Sequence, residues 1–287
     1  DCVEKCNLIQ SDLNALTNWC QKWKLDLNIN KCKVLSVTNA RKPIKHDYFI
    51  SGKVLERVSE FKDLGIIIHK KLSWNPHVNK TVAKAKRMLG LIKRTVGYKA
   101  AQSVKLQLYT TLVCSNLEYC TQAWNGLTKK NRIKIERVQR AATRYILNFP
   151  TISYSERLVK LNLLPLTLRR DMLDLKFFYR SLNGLNDINV YNHVQLANTG
   201  TCSISTRRSH DLSLLKIPLC RTTTFRNSFY SRIVYSWNKL PLDIRSSDSI
   251  GTFSYKLKKY LLTLARAFNP ECCCSLFLNC NCILNIV

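Results

Sequence analysis

The stretch Trp19-Cys-Gln-Lys-Trp23-Lys-Leu25-Asp-Leu27-Asn28-Ile29-Asn-Lys31-Cys-Lys33-Val-Leu-Ser-Val37 changes its hydrophobic period halfway along, and that change decides the fold class. Upstream, apolar residues fall at Ile9, Leu13, Leu16, Cys20 and Trp23, steps of three and four that place one apolar stripe on a helix. Downstream, Leu25, Leu27 and Ile29 alternate with Asp26 and Asn28. Val34, Leu35 and Val37 then form a short β-prone run before the breakers Asn39 and Pro43. The pattern predicts a helix laid on a sheet, joined by a polar turn from Asn28 to Lys33.

Strand signals continue for about thirty residues and then stop. Tyr48-Phe-Ile, Ser51-Gly52-Lys53 and Val54-Leu55 read as a hairpin whose turn uses Gly52. Phe61, Leu64 and Ile66-Ile67-Ile68 read as a further strand, buried on both faces. Asn75-Pro76 then marks a helix start. Val82, Ala85, Leu89, Ile92 and Val96 form its buried stripe, and Lys80, Lys84, Arg87 and Arg94 line another face. Helices are expected from Ser103 to about Ser115 and from Lys129 to Leu147, the latter ended by Pro150. In the second of these Ile133, Ile135, Val138, Ala141, Ala142, Tyr145 and Ile146 are set against Lys134, Arg137, Arg140 and Arg144. Further on, a helix opens near Pro165 and runs to Leu182, and a polar loop covers 183–206. A weak strand follows at 212–219, with helices at 225–237 and 253–268. The expected fold is α+β and predominantly helical, with a small antiparallel sheet first. The expected division is 1–75, 76–150 and 151–266, followed by a Cys-rich, unstructured tail at 267–287.

Composition narrows the partners. In 287 residues the formal charge is +28, with 46 lysines and arginines against 18 acidic residues. Such a field attracts polyanions and speeds their encounter, so nucleic acid is the first partner expected. Between Asp63 and Glu118 no acidic residue occurs while ten lysines and arginines do, so nothing nearby in sequence neutralises the basic helix. A solvated lysine face is the blander reading, but it would have carried glutamates as well. No run of 18 apolar residues occurs, which argues against a membrane span. The 13 cysteines are scattered through helical stripes and no signal segment precedes them, so a reducing, intracellular compartment is expected. The chain lacks an initiator Met and opens within an amphipathic pattern, which points to a fragment.

Catalytic constellations are sparse. Nucleotidyl transfer needs paired carboxylates to hold metal ions about 4 Å apart, and Asp171 and Asp174, one turn apart beside Arg169 and Arg170, read instead as structural ion pairs. Cys272, Cys273, Cys274, Cys280 and Cys282 lack zinc spacing and a nearby His, so no metal site is assigned. His69 and His77, which bracket Trp74, read as satisfied surface histidines. Among the aromatics interleaved with basic residues, Tyr98, Tyr109, Tyr119 and Trp124 fit core packing. Trp74, beside Pro76 at a helix entrance, is the exception and the candidate for stacking on a base.

Laid out in this order, the landmarks resemble the carboxy-terminal half of the reverse transcriptase of non-LTR retrotransposons, the LINE-type elements, closest to the jockey-like branch. Asp1-Cys2 through Leu13, with Trp19 and Trp23, is similar to the helix after the catalytic Ala-Asp-Asp strand of the palm. Asn28 and Lys31 resemble the Asn-x-x-Lys motif, and Asp63-Leu64-Gly65 with Leu72-Ser73-Trp74 and His77 resembles the segment joining palm to thumb. Leu117-Glu118-Tyr119, Trp124, Glu136, Gln139-Arg140, Thr143-Arg144, Tyr154, Arg157-Leu158, Arg169-Arg170, Ser228-Phe229 and Trp237-Asn238-Lys-Leu240-Pro241 continue in the family's order.

The resemblance implies a palm remnant with primer-gripping hairpins around 48–68, a thumb of basic helices from Val78, and RNA and DNA template-primer as partners. Lys31 is similar in position to the palm lysine proposed to protonate leaving pyrophosphate, with Lys33 as runner-up. The family's metal-binding aspartates would precede Asp1. This chain alone is therefore expected to be inactive and to hold no cofactor, with Mg²⁺ and deoxynucleotide substrate belonging to the complete polymerase, which acts in the nucleus. The alternative is a standalone, non-catalytic basic nucleic-acid-binding protein derived from such an element.

Overall fold

In the computed structural model, which describes residues 3–38, 40–149, 151–197 and 214–267, the first helix stops where the hydrophobic period changes. Helix α1 (Val3–Lys22) closes on Lys24, whose φ of 54° is left-handed. The Lys24 N–H donates to Gln21 O at 3.1 Å and the Leu25 N–H to Cys20 O at 2.8 Å, the paired bonds of a Schellman cap. A short 3₁₀ turn (Ile29–Lys31) follows where Leu25 to Ile29 alternate. The chain forms two compact units, Asp1–His77 and Val78–Val287.

In the first unit the strands pair as three separate two-stranded sheets. Strands β2 (Phe49–Ile50) and β3 (Lys53–Val54) form the expected hairpin, turning on Ser51 and Gly52, both with positive φ. Strands β5 (Glu60–Asp63) and β6 (Ile66–His69) make a second antiparallel hairpin, in which Ile66 and Ile67 are buried and Ile68 is half-buried. The third pair is parallel rather than antiparallel, because the β2–β3 excursion brings the chain back in its original direction. It joins β1 (Lys33–Leu35) to β4 (Glu56–Val58) and sets Lys33 opposite Glu56, whose side chains meet at 2.6 Å.

The stripe expected to bury α1 does so only in part. Cys20 is buried and Leu13 half-buried, whereas Ile9, Leu16 and Trp23 are exposed. The helix is turned instead to bring Gln10 inward: its Nε2 donates to Phe49 O at 2.9 Å and its Oε1 accepts from Phe49 N at 2.8 Å. A side-chain amide thus completes the ladder edge of β2, and that polar requirement sets the rotation of the helix.

The second unit is helical. Helix α2 (Asn75–Val96), whose first residues close the preceding unit, buries Val78, Val82, Ala85, Leu89 and Ile92. The expected helix at 103–115 is α3 (Gln102–Leu108), a π-helical turn (Tyr109–Cys114) and α4 (Ser115–Glu118), followed by α5 (Thr121–Trp124). Helix α6 (Lys129–Leu147) has the expected bounds, with Thr128 as N-cap and left-handed Asn148 (φ 54°) at its end; Pro150 lies outside the described residues. Helix α7 (Tyr154–Lys160) begins in a capping box formed by Ser153 and Glu156.

Helix α8 (Leu166–Leu182) crosses the main core with α10 (Phe229–Asn238), α11 (Leu242–Arg245) and α12 (Ile250–Ala267). Phe178 meets Trp237 edge to face at 5.4 Å, and Tyr179 stacks on Phe253 at 4.3 Å. Burying each such side chain is worth about 1.5–3 kcal/mol. The single helix expected at 225–237 is divided into α9 (Thr223–Arg226) and α10 at Asn227-Ser228. The break coincides with Gly126, which has no room for a Cβ: one built there would fall 2.3 Å from Asn227 O. The strand expected at 212–219 is, among the described residues, one antiparallel bridge between Leu196 and Leu215. Asn238 satisfies Leu215 on both sides, accepting from its N–H at 3.0 Å and donating to its O at 2.7 Å, as Gln10 does for Phe49. The Cys-rich tail lies outside the described residues.

Two buried polar knots lock these helices. Glu136 on α6 accepts from the Tyr154 hydroxyl and, at 3.0 Å, from the N–H of Leu166 at the start of α8, where the helix dipole favours a negative charge. Gln139 accepts from Tyr109 at 2.8 Å and donates to Tyr154 at 3.1 Å and Leu164 O at 2.9 Å. In the second knot Asp174 on α8 accepts from Thr121 at 2.7 Å, Asn125 at 2.9 Å and Arg232 at 3.0 Å. Arg170 lies 3.7 Å above the Trp124 ring and donates to Asn125 at 2.8 Å. Asp174 thus stands in a structural ion pair, with Arg232 rather than with Arg169 or Arg170, and Asp171 accepts from Asn125 at 3.1 Å.

Three measurements check this account. Gly126→Ala should cost about 1–3 kcal/mol in denaturant unfolding, because the new methyl must displace the Asn227 backbone. Asp174→Ala should cost about 3–5 kcal/mol by leaving the Arg232 charge buried and uncompensated. Burial raises the Glu136 pKa above its ordinary 4.5, with the bonds from Tyr154 and Leu166 opposing. The folded chain then holds that proton more tightly than the unfolded one, and stability falls as pH rises from about 4.5 through the folded value. The stability of Glu136→Gln relative to wild type should accordingly grow with pH in that window; a difference independent of pH would contradict the assignment.

Candidate nucleic-acid interface

The basic surface of the second unit follows from helix geometry. At about 100° per residue, the buried residues of α2 and the cations Lys80, Lys84, Arg87 and Arg94 fall on opposite sides of its axis. All four cations are exposed. Among the described residues, none of the four meets a carboxylate within ion-pair distance. Leu91, also exposed, sits on the same face.

Helix α6 supplies a second row, more mixed than the sequence implied. Arg137 and Arg144 are exposed, while Lys134 and Arg140 are half-buried and engaged by the protein itself. Lys134 donates to Asn79 Oδ1 at 2.8 Å, which ties α6 to α2. The Arg140 guanidinium lies 4.6 Å from the Tyr154 ring centre. The helices are joined again at their far ends, where the Tyr145 hydroxyl donates to Gly97 O at 2.8 Å between Lys93 and Lys105. The Tyr145 pKa is raised above the ordinary phenol value, by burial first and the neighbouring Tyr98 second.

One exposed cation of this surface was not singled out from the sequence. Lys130 is exposed and lies seven residues before Arg137 and fourteen before Arg144, so helical period alone could have found it. Arg157, from α7, is a buried cation rather than part of the exposed row. It donates to Thr143 at 3.2 Å and Ile152 O at 2.6 Å, and its pKa is lowered by burial and then by the adjacent Arg144.

The aromatics divide as well. Tyr109 and Trp124 are wholly buried, in keeping with core packing, whereas Tyr98 and Tyr119 are more than half exposed. Lys31 and Trp74 belong to the first unit. Lys31 is exposed at the end of the 3₁₀ turn, and the alternative Lys33 is held by Glu56. Trp74 is half-buried and meets His77 edge to face at 6.4 Å. His77 is buried rather than a surface residue, and its Nδ1 accepts from Ile67 N at 3.3 Å, because the strand β6 leaves that amide facing the helix start. Among the described residues no group of three or more His, Cys, Asp and Glu is placed to hold a metal ion, and no helix is long and apolar enough to cross a membrane.

No protein-family model matches the chain, and no solved structure matches it. Curated relatives do. The chain is 26% identical over 155 residues to a probable RNA-directed DNA polymerase from transposon BS of Drosophila melanogaster, a match covering 52% of this chain and 17% of that protein. It is 25% identical over 150 residues to the RNA-directed DNA polymerase from mobile element jockey of Drosophila funebris, covering 52% and 16%. The jockey polymerase of Drosophila melanogaster is 25% identical over 146 residues, covering 50% and 16%. The matches thus take in about half of this chain and 16–17% of the relatives' own length. Over that half, the chain is related to the RNA-directed DNA polymerases of non-LTR, jockey-like retrotransposons.

Proposed function

We propose that this chain is a portion of a retrotransposon reverse transcriptase that holds the template-primer. In this reading α2 and α6 form the thumb face that tracks the phosphate backbone. The first unit supplies the edge of the palm, residues 76–150 the thumb and 151–266 a further helical region. The observation that carries the reading is the row of exposed cations on α2, opposite a buried apolar stripe and without acidic neighbours. Lys130, Arg137 and Arg144 extend the row, and Trp74 is the candidate stacking residue. RNA and DNA are the partners, bound in the nucleus.

Lys31 is the candidate general acid, a role worth about 10²–10⁴ in rate where it operates. The described carboxylates do not fit Mg²⁺. Asp171 and Asp174 are buried, and Asn125 donates to both, at 3.1 and 2.9 Å. Mg²⁺ and deoxynucleotide chemistry are assigned to the complete polymerase, and no step through them is placed on these residues.

Phosphate tracking has a quantitative signature. Log K for duplex should fall against log salt with a slope of about 0.9 per phosphate neutralised. Replacing Lys80, Lys84, Arg87 and Arg94 by Ala should weaken binding across sequences and reduce that slope by about 3–4, read by fluorescence anisotropy on a primer-template duplex. Unchanged affinity and slope would place the interface elsewhere.

A further inference from the structure

The outward amide of Ile67 is satisfied by a side chain that can change its charge. Strands β5 and β6 form a two-stranded sheet, and in such an antiparallel pair alternate N–H groups point away from the partner strand. The N–H of Ile67 is one of these: it donates to the Nδ1 of His77 at 3.3 Å. Ile67 is 6% exposed and His77 5%. A buried amide without an acceptor is costly, so the imidazole holds β6 against the first turn of α2, which starts at Asn75.

The bond fixes the protonation state of the ring. A nitrogen that accepts carries no hydrogen, so the neutral imidazole keeps its proton on Nε2. A second proton would go to Nδ1 and set an N–H against the N–H of Ile67. The surroundings oppose the resulting cation. It would be buried, and it would stand at the N-terminal end of α2, where the helix dipole is positive and the first turn has no acidic residue. The charged and titratable groups on the elements around it are Glu60, Lys62 and Asp63 on β5, His69 on β6, Lys70 and Lys71 directly after it, and Lys80 on α2. All are exposed except the half-buried His69, whose own Nδ1 accepts from Lys71 N at 3.2 Å. Trp74 meets the His77 ring edge to face at 6.4 Å, outside the reach of about 6 Å for cation–π attraction.

We propose that His77 is a pH-sensitive latch on the β5–β6 hairpin. Neutral, it pins β6 to the entrance of α2; protonated, it lets the strand go. What it holds is the hairpin whose tip is Leu64, 83% exposed and with a left-handed φ of 43°. The latched form takes no proton at Nδ1, whereas a released imidazole titrates near the ordinary value of about 6.5. The latch is therefore complete above that pH and weakens as pH falls below it, by up to about tenfold per pH unit. Both partners lie within the first unit, so the device does not rest on phosphate tracking by the helices of the second.

The test is amide hydrogen exchange in the full chain, read by NMR and corrected for the intrinsic pH dependence of exchange. In wild type the protection of the Ile67 amide should be about tenfold lower at pH 5.5 than at pH 7.5. The amides of Ile66 and Ile68, which face Asp63 and Phe61 across the sheet, should change less than about twofold. His77→Asn sets an amide oxygen where Nδ1 stands and does not titrate, so it should protect Ile67 within about twofold of wild type at pH 7.5 and abolish the pH dependence. His77→Ala should lower that protection at least about tenfold at both pH values. The ¹⁵N shifts of the wild-type ring at pH 7.5 should report its proton on Nε2. Equal protection of Ile67 at the two pH values in wild type, a fall shared equally by Ile66 and Ile68, the same fall in His77→Asn, or a ring proton on Nδ1 would overturn the proposal.

Discussion

The carboxylate of Asp174 is the fastening on which much of the helical unit depends. Almost wholly buried, it accepts from Thr121 and Asn125 at the short helix α5 and from Arg232 on α10, and so ties both to α8. Glu136 does the same for α6, α7 and the start of α8. Each would be costly if left unpaired, because a charge taken out of water is stabilised only by well-placed partners. Both are fully engaged, and the arrangement of the helices is set by that requirement together with the apolar core.

This placement has a consequence for the surface. The chain has 18 acidic residues against 46 basic ones, and several of its carboxylates are held inside or in ion pairs. Asp171, Asp174 and Glu136 face the interior, and Glu118 is taken by Arg169. Carboxylates that could have neutralised the helix surfaces are instead structural, and among the described residues Lys80, Lys84, Arg87 and Arg94 of α2 meet no carboxylate within ion-pair distance. The same logic holds in the first unit, where Lys33 takes Glu56. Stability and the basic character of the surface therefore arise from one distribution of charge.

Side-chain amides complete what short strands cannot. Gln10 pairs with Phe49 and Asn238 with Leu215, each through a donor and an acceptor. Neither pairing has a signature in hydrophobic period, and both changed an expectation. Gln10 turned α1 so that Ile9, Leu16 and Trp23 face outward, and Asn238 satisfied a segment that reads as a strand without a second strand to pair with. The split between α9 and α10 was hidden for a similar reason, since it reflects the close approach of Gly126 to Asn227, about a hundred residues apart in sequence.

What the sequence by itself determined is the set of periodic elements: the end of α1 near Lys24, the hairpin at Gly52, the bounds of α6, and the basic face of α2. These depend on residues within a few turns of one another, where spacing alone sorts buried from exposed. The ordered landmarks also pointed to the retrotransposon polymerases to which half the chain is related. Only the tertiary structure decided which cations are free to act. It engaged Lys134 with Asn79 and Arg140 with Tyr154, brought Arg157 beside Arg144, buried His77, and paired β1 with β4 in parallel. The reason is physical: such contacts join residues distant along the chain, and the need to satisfy buried polar groups selects among packings that hydrophobic period leaves equivalent.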